Sequence, residues 1–206
     1  MRTNARKIWI AGLATVASLG ATPQNTELID AAKSANATKV ATLLEQRVDV
    51  NAAQADGATA LHWAAHLDHK EMTSALIRAG AAVNITNDFG VTPLWLACLN
   101  GSATMVKLLL QAGADATAAL PSGETTLMTA SRSGSAEAVS LLVAYGANPN
   151  AQEYSRGQTA LMWAVAQRHQ AVVKTLVELG ADLHIRSTPR PRRIHTRTAG
   201  FNPAGV

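Results

Sequence analysis

Apolar side chains recur along most of the chain with the spacing of short helices, and polar segments separate them. Leu61, Ala64 and Ala65 form one apolar stripe, and Met72 and Leu76 belong to a second stripe soon after it. Spacings of three and four residues place apolar groups on one face of a helix. The pattern therefore predicts pairs of short amphipathic helices joined by polar turns.

Two series of glycines repeat this pattern at a fixed interval. The first series opens phrases such as Gly-Ala-Thr-Ala-Leu-His, and the second is followed by alanine and usually by Asp or Asn. The first series is Gly57, Gly90, Gly123 and Gly157, and the second is Gly80, Gly113, Gly146 and Gly180. Both keep spacings of 33, 33 and 34 residues. Self-similarity at this period is typical of an array of stacked repeats.

Each part of the repeat has a physical role. The first glycine permits a turn with positive φ, and the threonine two residues later can cap a helix. The second glycine can end the following helix in the left-handed conformation. Residues 84–89 and their counterparts are polar and suit a projecting hairpin. One helix pair cannot bury its stripes alone, so we expect stability to come from the stacking of neighbouring pairs.

The repeat resembles the ankyrin repeat, whose motif is Gly-x-Thr-Pro-Leu-His-x-Ala-Ala followed by Gly-Ala-Asp-x-Asn. Residues 90–94 match it with the proline, and residues 57–65 match it with the histidine. The resemblance implies an all-α ankyrin-repeat solenoid of about five helix-turn-helix repeats with short β-hairpin tips. The repeat domain is expected over residues 27–186, beginning with a degenerate capping repeat. The five repeats are expected at about 27–56, 57–89, 90–122, 123–156 and 157–186.

The histidine of the motif is present in one repeat only. Trp95, Met128 and Met162 replace it in the others. The bond by which the family braces its turn, from hydroxyl to imidazole, is therefore expected only between Thr59 and His62.

Two further departures concern the last repeats. One extra residue lies between Gly146 and Gly157 and should lengthen the hairpin that carries residues 153–156. No sixth repeat follows Ile185, which suggests a fragment of a longer array. Without a following repeat, part of the last apolar stripe is expected to meet water, including some of Val172, Val173, Leu176 and Val177.

The first 21 residues have the three parts of a secretory signal peptide. Three basic residues precede an uncharged apolar run from 8 to 21, and small residues stand near its end. The run is too short for a comfortable membrane span. We expect export to a periplasm or the extracellular space, with cleavage after Gly20 or Ala21. The alternative is an uncleaved apolar helix.

Charge is concentrated at the two ends of the chain. The formal charge is +4, but eight of the 18 bases lie at the ends, up to Lys7 or from Arg186 onward. The body between Glu27 and Ile185 contains the other ten bases and all 14 acids. The body is therefore mildly acidic, so a specific nucleic-acid partner is not expected. Residues 187–206 form a basic, proline-containing tail that is expected to be disordered. A solvated linker is favoured there over a site for phosphate or acidic surfaces.

The sequence does not predict catalytic or metal-binding chemistry. His62 and His66 are four residues apart on one predicted helix, a spacing that can share a metal ion. The glutamate of zinc peptidases is missing and His62 belongs to the repeat, so no metal, cofactor or catalytic residue is predicted. Cys98, the single cysteine, is interpreted as a buried thiol. Trp63 and Trp163 share one register and are interpreted as packing between repeats.

The resemblance implies a curved stack that holds another protein against its hairpin tips and first helices. We therefore expect a monomeric protein-binding scaffold without catalysis of its own and, once the signal is removed, without a membrane span. Aromatic and arginine side chains supply most contact energy at interfaces, so Phe89, Tyr154, Arg132 and Arg156 are the strongest candidates. The full set is Asp56, His66, Leu67, Asp88, Phe89, Val91, Leu99, Asn100, Glu124, Arg132, Tyr154, Arg156, Gln158 and Gln167.

Two alternatives belong to other functional classes. The chain could be the regulatory or targeting segment of a larger protein that continues beyond Val206. It could also be an enzyme that uses the histidine cluster, which would require stoichiometric metal in the purified protein.

Overall fold

The computed structural model describes residues 23–188, which form ten α-helices in five consecutive pairs. The helices are α1 (Pro23–Lys33), α2 (Ala37–Glu45), α3 (Ala60–His66), α4 (Lys70–Arg78), α5 (Pro93–Leu99), α6 (Ala103–Gln111), α7 (Thr126–Ser133), α8 (Ala136–Ala144), α9 (Ala160–Ala166) and α10 (Gln170–Glu178). Each odd-numbered helix packs on the next odd-numbered helix, and the even-numbered helices stack likewise. The odd-numbered helices are called the inner layer and the even-numbered helices the outer layer. The predicted all-α repeat solenoid is confirmed.

Threonine caps begin the inner helices of the third, fourth and fifth repeats. The hydroxyl oxygens of Thr92, Thr125 and Thr159 accept the backbone N–H three residues later, at 3.1, 3.2 and 3.5 Å. These bonds satisfy donors that the first turn of a helix leaves free. α5 also has Pro93 at its start, where no N–H is needed. The capping role predicted for these threonines is confirmed.

The core runs continuously through the stack and is shared between neighbouring repeats. Small buried residues such as Ala64 and Ala65 let the inner helices approach one another closely. Larger side chains such as Leu76 and Leu109 come from the outer layer and fill the space between repeats. Cys98 occupies the same register as Ala65 and is fully buried, as predicted, and this burial raises the pKa of its thiol.

Tight turns join each repeat to the next. In three of them a backbone N–H donates to the carbonyl four residues later, from 54 to 58, from 87 to 91 and from 120 to 124, at 2.9, 3.0 and 2.9 Å. Isolated antiparallel bridges, Ala53–Thr59 and Ala119–Thr125, lie beside two of these turns. The hairpin tips consist of such turns and bridges, and no strand forms within residues 23–188.

The fourth hairpin contains the extra residue. Its N–H donor, Glu153, reaches the carbonyl of Gln158, five residues on, at 3.1 Å. The Glu153 carboxylate fills the wider turn and accepts the backbone N–H groups of Ser155, Arg156 and Gln158 at 2.7, 2.9 and 3.1 Å. Burial raises the pKa of Glu153, but these bonds and one from the Ser155 hydroxyl outweigh it and lower the pKa to about 2. The predicted lengthening of this hairpin is confirmed.

Adjacent hairpin tips lie directly on one another at two glycines. Gly90 and Gly123 have φ of 75° and 81°, which a side chain rarely adopts. A Cβ on Gly90 would lie 2.8 Å from the ring of Pro121, and one on Gly123 would lie 2.9 Å from the ring of Tyr154. Glycine is therefore required at both positions for conformation and for space.

Asparagines link three of the four pairs of adjacent repeats. The Asn84 side chain donates to the carbonyl of Gly113 at 2.9 Å and accepts the N–H of Asp115 at 2.8 Å. Asn51 and Asn150 make the same two bonds to the repeats that follow them. We call this pair of bonds the amide clamp.

The junction between the third and fourth repeats has threonine at the clamp position. The Thr117 hydroxyl donates to Asp115 of its own repeat at 2.7 Å. A cavity of about 70 Å³ lies beside it, lined in part by Asn148 of the following repeat. This junction therefore lacks the two bonds that tie the others together.

Replacing Asn84 with alanine is expected to lower the free energy of unfolding by about 1–3 kcal/mol, since two bonds worth about 0.5–1.5 kcal/mol each are lost. Thr117→Asn is expected to raise it by about 1 kcal/mol, because the new amide can reach Gly146 and Asn148. Urea unfolding followed by circular dichroism measures both. Thr117→Ser supplies no amide and is the control. A Thr117→Asn protein no more stable than Thr117→Ser would contradict the clamp.

The second glycines end the outer helices in the left-handed conformation, as predicted, with φ between 88° and 100°. In the first repeat Arg47 occupies this register with φ of 57°. That conformation costs a side chain about 1–2 kcal/mol, and glycine loses only about 0.5–1 kcal/mol in backbone entropy. We therefore expect Arg47→Gly to stabilise the protein by up to about 1 kcal/mol in urea unfolding. Arg47→Ala removes the same charge but keeps the strain, so equal stabilisation by alanine would exclude this explanation.

The last repeat exposes apolar groups, although two of those considered in the sequence are enclosed. Val172 and Leu176 are fully buried because their register turns them toward the preceding repeat. Val177 meets water, as do Val165 and Leu183. The expectation that some of this stripe meets water is thus confirmed by Val177, while Val173 is half-buried and Val172 and Leu176 are enclosed.

The predicted signal segment, residues 1–21, lies outside the described residues, as do residues 189–206 of the predicted tail. Among the helices from 23 to 188, none is long and apolar enough to cross a bilayer.

Candidate functional site

An open cavity of about 280 Å³ at the end of the last repeat, lined by residues between Thr159 and Ile185, contains none of the residues expected to contact a partner. Two further open cavities along the inner layer contain several of them. One has a volume of about 240 Å³ and the other about 300 Å³. The first, called the N-terminal cavity, is lined by Asp56, Ala58, His62, Trp63, His66, Asn87, Val91, Trp95 and Leu96. The second, called the C-terminal cavity, is lined by Arg132, Arg156, Gln158, Trp163, Ala166 and Gln167. Inner helices and hairpin residues contribute to both, and together with the hairpin tips they form what we call the groove.

A tryptophan beneath a basic side chain lines each cavity. Lys33 Nζ lies 5.1 Å from the ring centroid of Trp63, and Arg132 Cζ lies 5.1 Å from that of Trp163. In each case the base comes from the preceding repeat, a geometry that favours cation–π attraction. Both indoles are half-buried. They therefore pack between repeats, as interpreted from the sequence, and also present apolar surface to the cavities.

His62 braces its hairpin and contacts the next repeat. Its Nδ1 accepts the backbone N–H of Thr59 at 3.1 Å and lies 3.0 Å from the Thr59 hydroxyl. Its Nε2 is 3.0 Å from the carbonyl oxygen of Val91, so the neutral form with hydrogen on Nε2 satisfies every partner. Burial lowers the pKa of His62. The predicted brace between Thr59 and His62 is confirmed.

The two histidines of helix α3 have different surroundings, because His62 is buried between hairpins and His66 is not. His66 is exposed, and its ring meets Trp63 edge to face with centroids 5.9 Å apart. Both nitrogens of His62 are occupied by protein groups. Within residues 23–188 no group of three or more His, Cys, Asp or Glu side chains is placed to hold a metal ion.

The two cavities differ in their electrostatics. In the N-terminal cavity Asp56 accepts hydrogen bonds from the Ala58 N–H at 3.0 Å and the Gln54 amide at 2.7 Å, which lower its pKa. In the C-terminal cavity Arg156 donates to the neutral Gln158 at 2.6 Å. A carboxylate thus lines the first cavity, and two guanidiniums, those of Arg132 and Arg156, line the second.

The family model for ankyrin repeats (3 copies) matches residues 28–119 and 114–187. The chain belongs to the ankyrin-repeat family. Comparison with curated protein sequences gave no match. Ankyrin repeats generally serve as scaffolds for contacts between proteins, and domains built from them are typically non-catalytic.

The ankyrin stack brings half of the expected partner-binding residues into the cavities. The N-terminal cavity contains Asp56, His66 and Val91, and the C-terminal cavity contains Arg132, Arg156, Gln158 and Gln167. Asp88, Phe89 and Tyr154 lie at hairpin tips, and Phe89 and Tyr154 are 67% and 79% exposed. Leu67, Leu99 and Asn100 lie at the ends of inner helices, and Glu124 is paired with Arg132.

Two of these residues also have structural roles between ankyrin repeats. The Asn100 amide donates to the carbonyls of Ala65 and His66 at 3.3 and 2.7 Å, where helix α3 ends. Tyr154 lies over Gly123, and its N–H donates to the Ser122 carbonyl at 2.9 Å. Phe89 is therefore the clearer candidate for contact with a partner.

Several cavity-lining residues were not among those expected from the sequence. They are Ala58, His62, Trp63, Asn87, Trp95, Leu96, Trp163 and Ala166. The signal that could have identified some of them is register, because Trp63, Leu96 and Trp163 recur at the repeat period on the inner helices. Assigning the tryptophans to packing alone concealed their second role.

Proposed function

We propose that the groove captures a protein partner and that the chain works, after export, as a monomeric ankyrin scaffold without catalysis of its own. The observation that carries this proposal is that seven of the expected contact residues line two open cavities on one layer of the stack. A groove formed by packed helices is preorganised, so little ordering entropy is lost when a partner binds.

The groove also offers the side-chain types that dominate binding energy. Tryptophan, tyrosine and arginine are enriched among hot spots, and the cavities contain Trp63, Trp163, Arg132 and Arg156. Phe89 adds an exposed aromatic ring at a hairpin tip. Burying such a ring against a partner contributes about 1.5–3 kcal/mol.

The double variant Phe89→Ala, Arg132→Ala is expected to reduce capture of the partner at least about ten-fold while lowering the free energy of unfolding by no more than about 1–2 kcal/mol, the cost of the partly exposed contacts of Arg132 with Glu124 and Trp163. The measurement is a quantitative pull-down from the native compartment, using the mature chain from about Ala21. The control is Tyr145→Ala with Arg78→Ala, which removes an exposed aromatic and an exposed arginine from the outer layer.

A large fall in melting temperature for the groove variant would show that Phe89 and Arg132 are packing residues. Equal capture by the groove and control variants would show that binding occurs elsewhere on the surface.

Export has a separate test. Cell fractionation with N-terminal sequencing should find a chain that begins at Ala21 or Thr22 outside the cytoplasm. An intact Met1 on a cytoplasmic protein would contradict export and leave the groove proposal untouched.

A further inference from the structure

The C-terminal cavity contains a guanidinium that no carboxylate in residues 23–188 neutralises. Arg132 is held by Glu124, with Nη2 to Oε1 at 3.4 Å, and Glu124 also accepts the Thr129 hydroxyl at 2.9 Å. Within the same range of residues the Arg156 guanidinium donates to the side-chain oxygen of Gln158 at 2.6 Å and makes no ion pair, while the Arg156 backbone N–H donates to Glu153. The cavity therefore holds two guanidiniums against one carboxylate, in a body whose charge is otherwise mildly acidic.

Apolar surface lies beside this charge. Trp163 and Ala166 line the same cavity of about 300 Å³, which is enough for one or two side chains. Gln158 and Gln167 add amide groups that can bond to a peptide backbone. The N-terminal cavity has the opposite charge near its hairpin, because the Asp56 carboxylate lines it there.

We infer that the C-terminal cavity binds an acidic segment of the partner protein, in which an Asp or Glu side chain lies next to an apolar one. The inference rests on the proposed function and names the chemistry of what the groove receives. The carboxylate pairs with Arg156, a strong contact because guanidinium and carboxylate form charge-assisted bonds. The apolar side chain packs on Trp163 and Ala166.

Charge and stacking favour an acidic peptide over a nucleic acid. A single-strand site needs an open aromatic face on which bases stack, and Arg132 already covers a face of Trp163. A phosphate backbone also needs a track of positive charge, whereas the 14 acids of the chain all lie in the repeat body and outnumber its ten bases.

Selection of random dodecapeptides displayed on phage against the full chain tests this inference. Selected peptides are expected to be enriched in Asp or Glu next to an apolar residue. In fluorescence anisotropy their affinity should fall about ten-fold for Arg156→Gln, and also when their acidic residues become Asn or Gln. Arg78→Gln removes the same charge from outer helix α4 and should leave the affinity unchanged.

A second readout locates the contact. The indole N–H signal of Trp163, assigned by its disappearance in Trp163→Phe, should shift when a selected peptide is added. The signal of Trp63 should move less.

Other outcomes overturn the inference in distinguishable ways. If the selected peptides lack acidic residues and their binding is lost in Phe89→Ala, the groove proposal stands and the acidic specificity is excluded. Selection of no peptide would count against both proposals. Binding of oligothymidylate as tight as that of selected peptides, with equal sensitivity to Arg156→Gln, would reassign the cavity to polyanions in general.

Discussion

Leu109→Ala is expected to lower the free energy of unfolding by about 3–5 kcal/mol, the cost of a leucine-sized void that its surroundings cannot fill. Leu109 is fully buried in α6 of the central repeat. A repeat in the middle of a stack supports a neighbour on each side, so the loss weakens two interfaces at once. Urea unfolding followed by circular dichroism should show a lower midpoint and a broader transition.

Leu176 provides the matched control, because it occupies the same register in the last repeat and is equally buried. Leu176→Ala should loosen the end of the stack while the first four repeats stay folded, which hydrogen exchange can resolve repeat by repeat. If both variants lose the same free energy of unfolding and unfold in one cooperative step, position in the array does not matter. That result would contradict a stability that adds up repeat by repeat.

His62→Met is expected to cost about 1–2 kcal/mol at a pH near 8 and to remove part of the pH dependence of stability. The cost arises because the variant loses the bond to Val91 and the brace to Thr59. Met128 and Met162 already occupy this register in later repeats, where the chain folds around them. The variant is therefore expected to fold.

The sign of the pH effect follows from burial, which lowers the pKa of His62 in the folded protein. The unfolded chain takes up a proton near the ordinary value of about 6.5, while the folded chain resists it. The contribution of His62 to the free energy of unfolding is thus complete above about pH 7 and declines as the pH falls below that range. When unfolding is measured at several pH values, the free energy of unfolding should change less with pH in His62→Met than in the unaltered protein. His66→Met changes an exposed histidine, and the same flattening in this control would show that His62 is not responsible.

Local chemistry explains why the sequence predicted so much of the fold. Positive φ at the second glycines, the threonine caps and the brace at His62 each depend on residues a few positions apart, and the repeat period shows them several times over. The wider fourth hairpin followed from counting residues between two glycines. Glu153 fills that hairpin with hydrogen bonds, as the shorter Asn87 side chain does in the second hairpin by accepting the N–H groups of Phe89 and Val91, a similarity that only the structure reveals.

Interactions between repeats were harder to predict, because they depend on how one unit sits on the next. Asn84 is part of the motif, yet its bonds to Gly113 and Asp115 become visible only when the repeats are stacked. Which residues of the last stripe meet water was left open for the same reason, and the structure encloses Val172 and Leu176 but exposes Val177. The cavities likewise join residues from two repeats, so the charge of Arg156 beside Trp163 could not be found in a single period.

The missing amide clamp at Thr117 divides the molecule unequally. Three repeats lie on one side of that junction and two on the other, and each side contains one of the two groove cavities. Other contacts hold the two sides together. Helix α5 packs on α7 and α6 on α8, and the Thr126 and Ser133 hydroxyls donate across the junction to the Ala116 and Cys98 carbonyls, each at 2.8 Å. Because repeat stability comes from contacts with nearest neighbours, a destabilising change in the last two repeats should leave the N-terminal cavity formed.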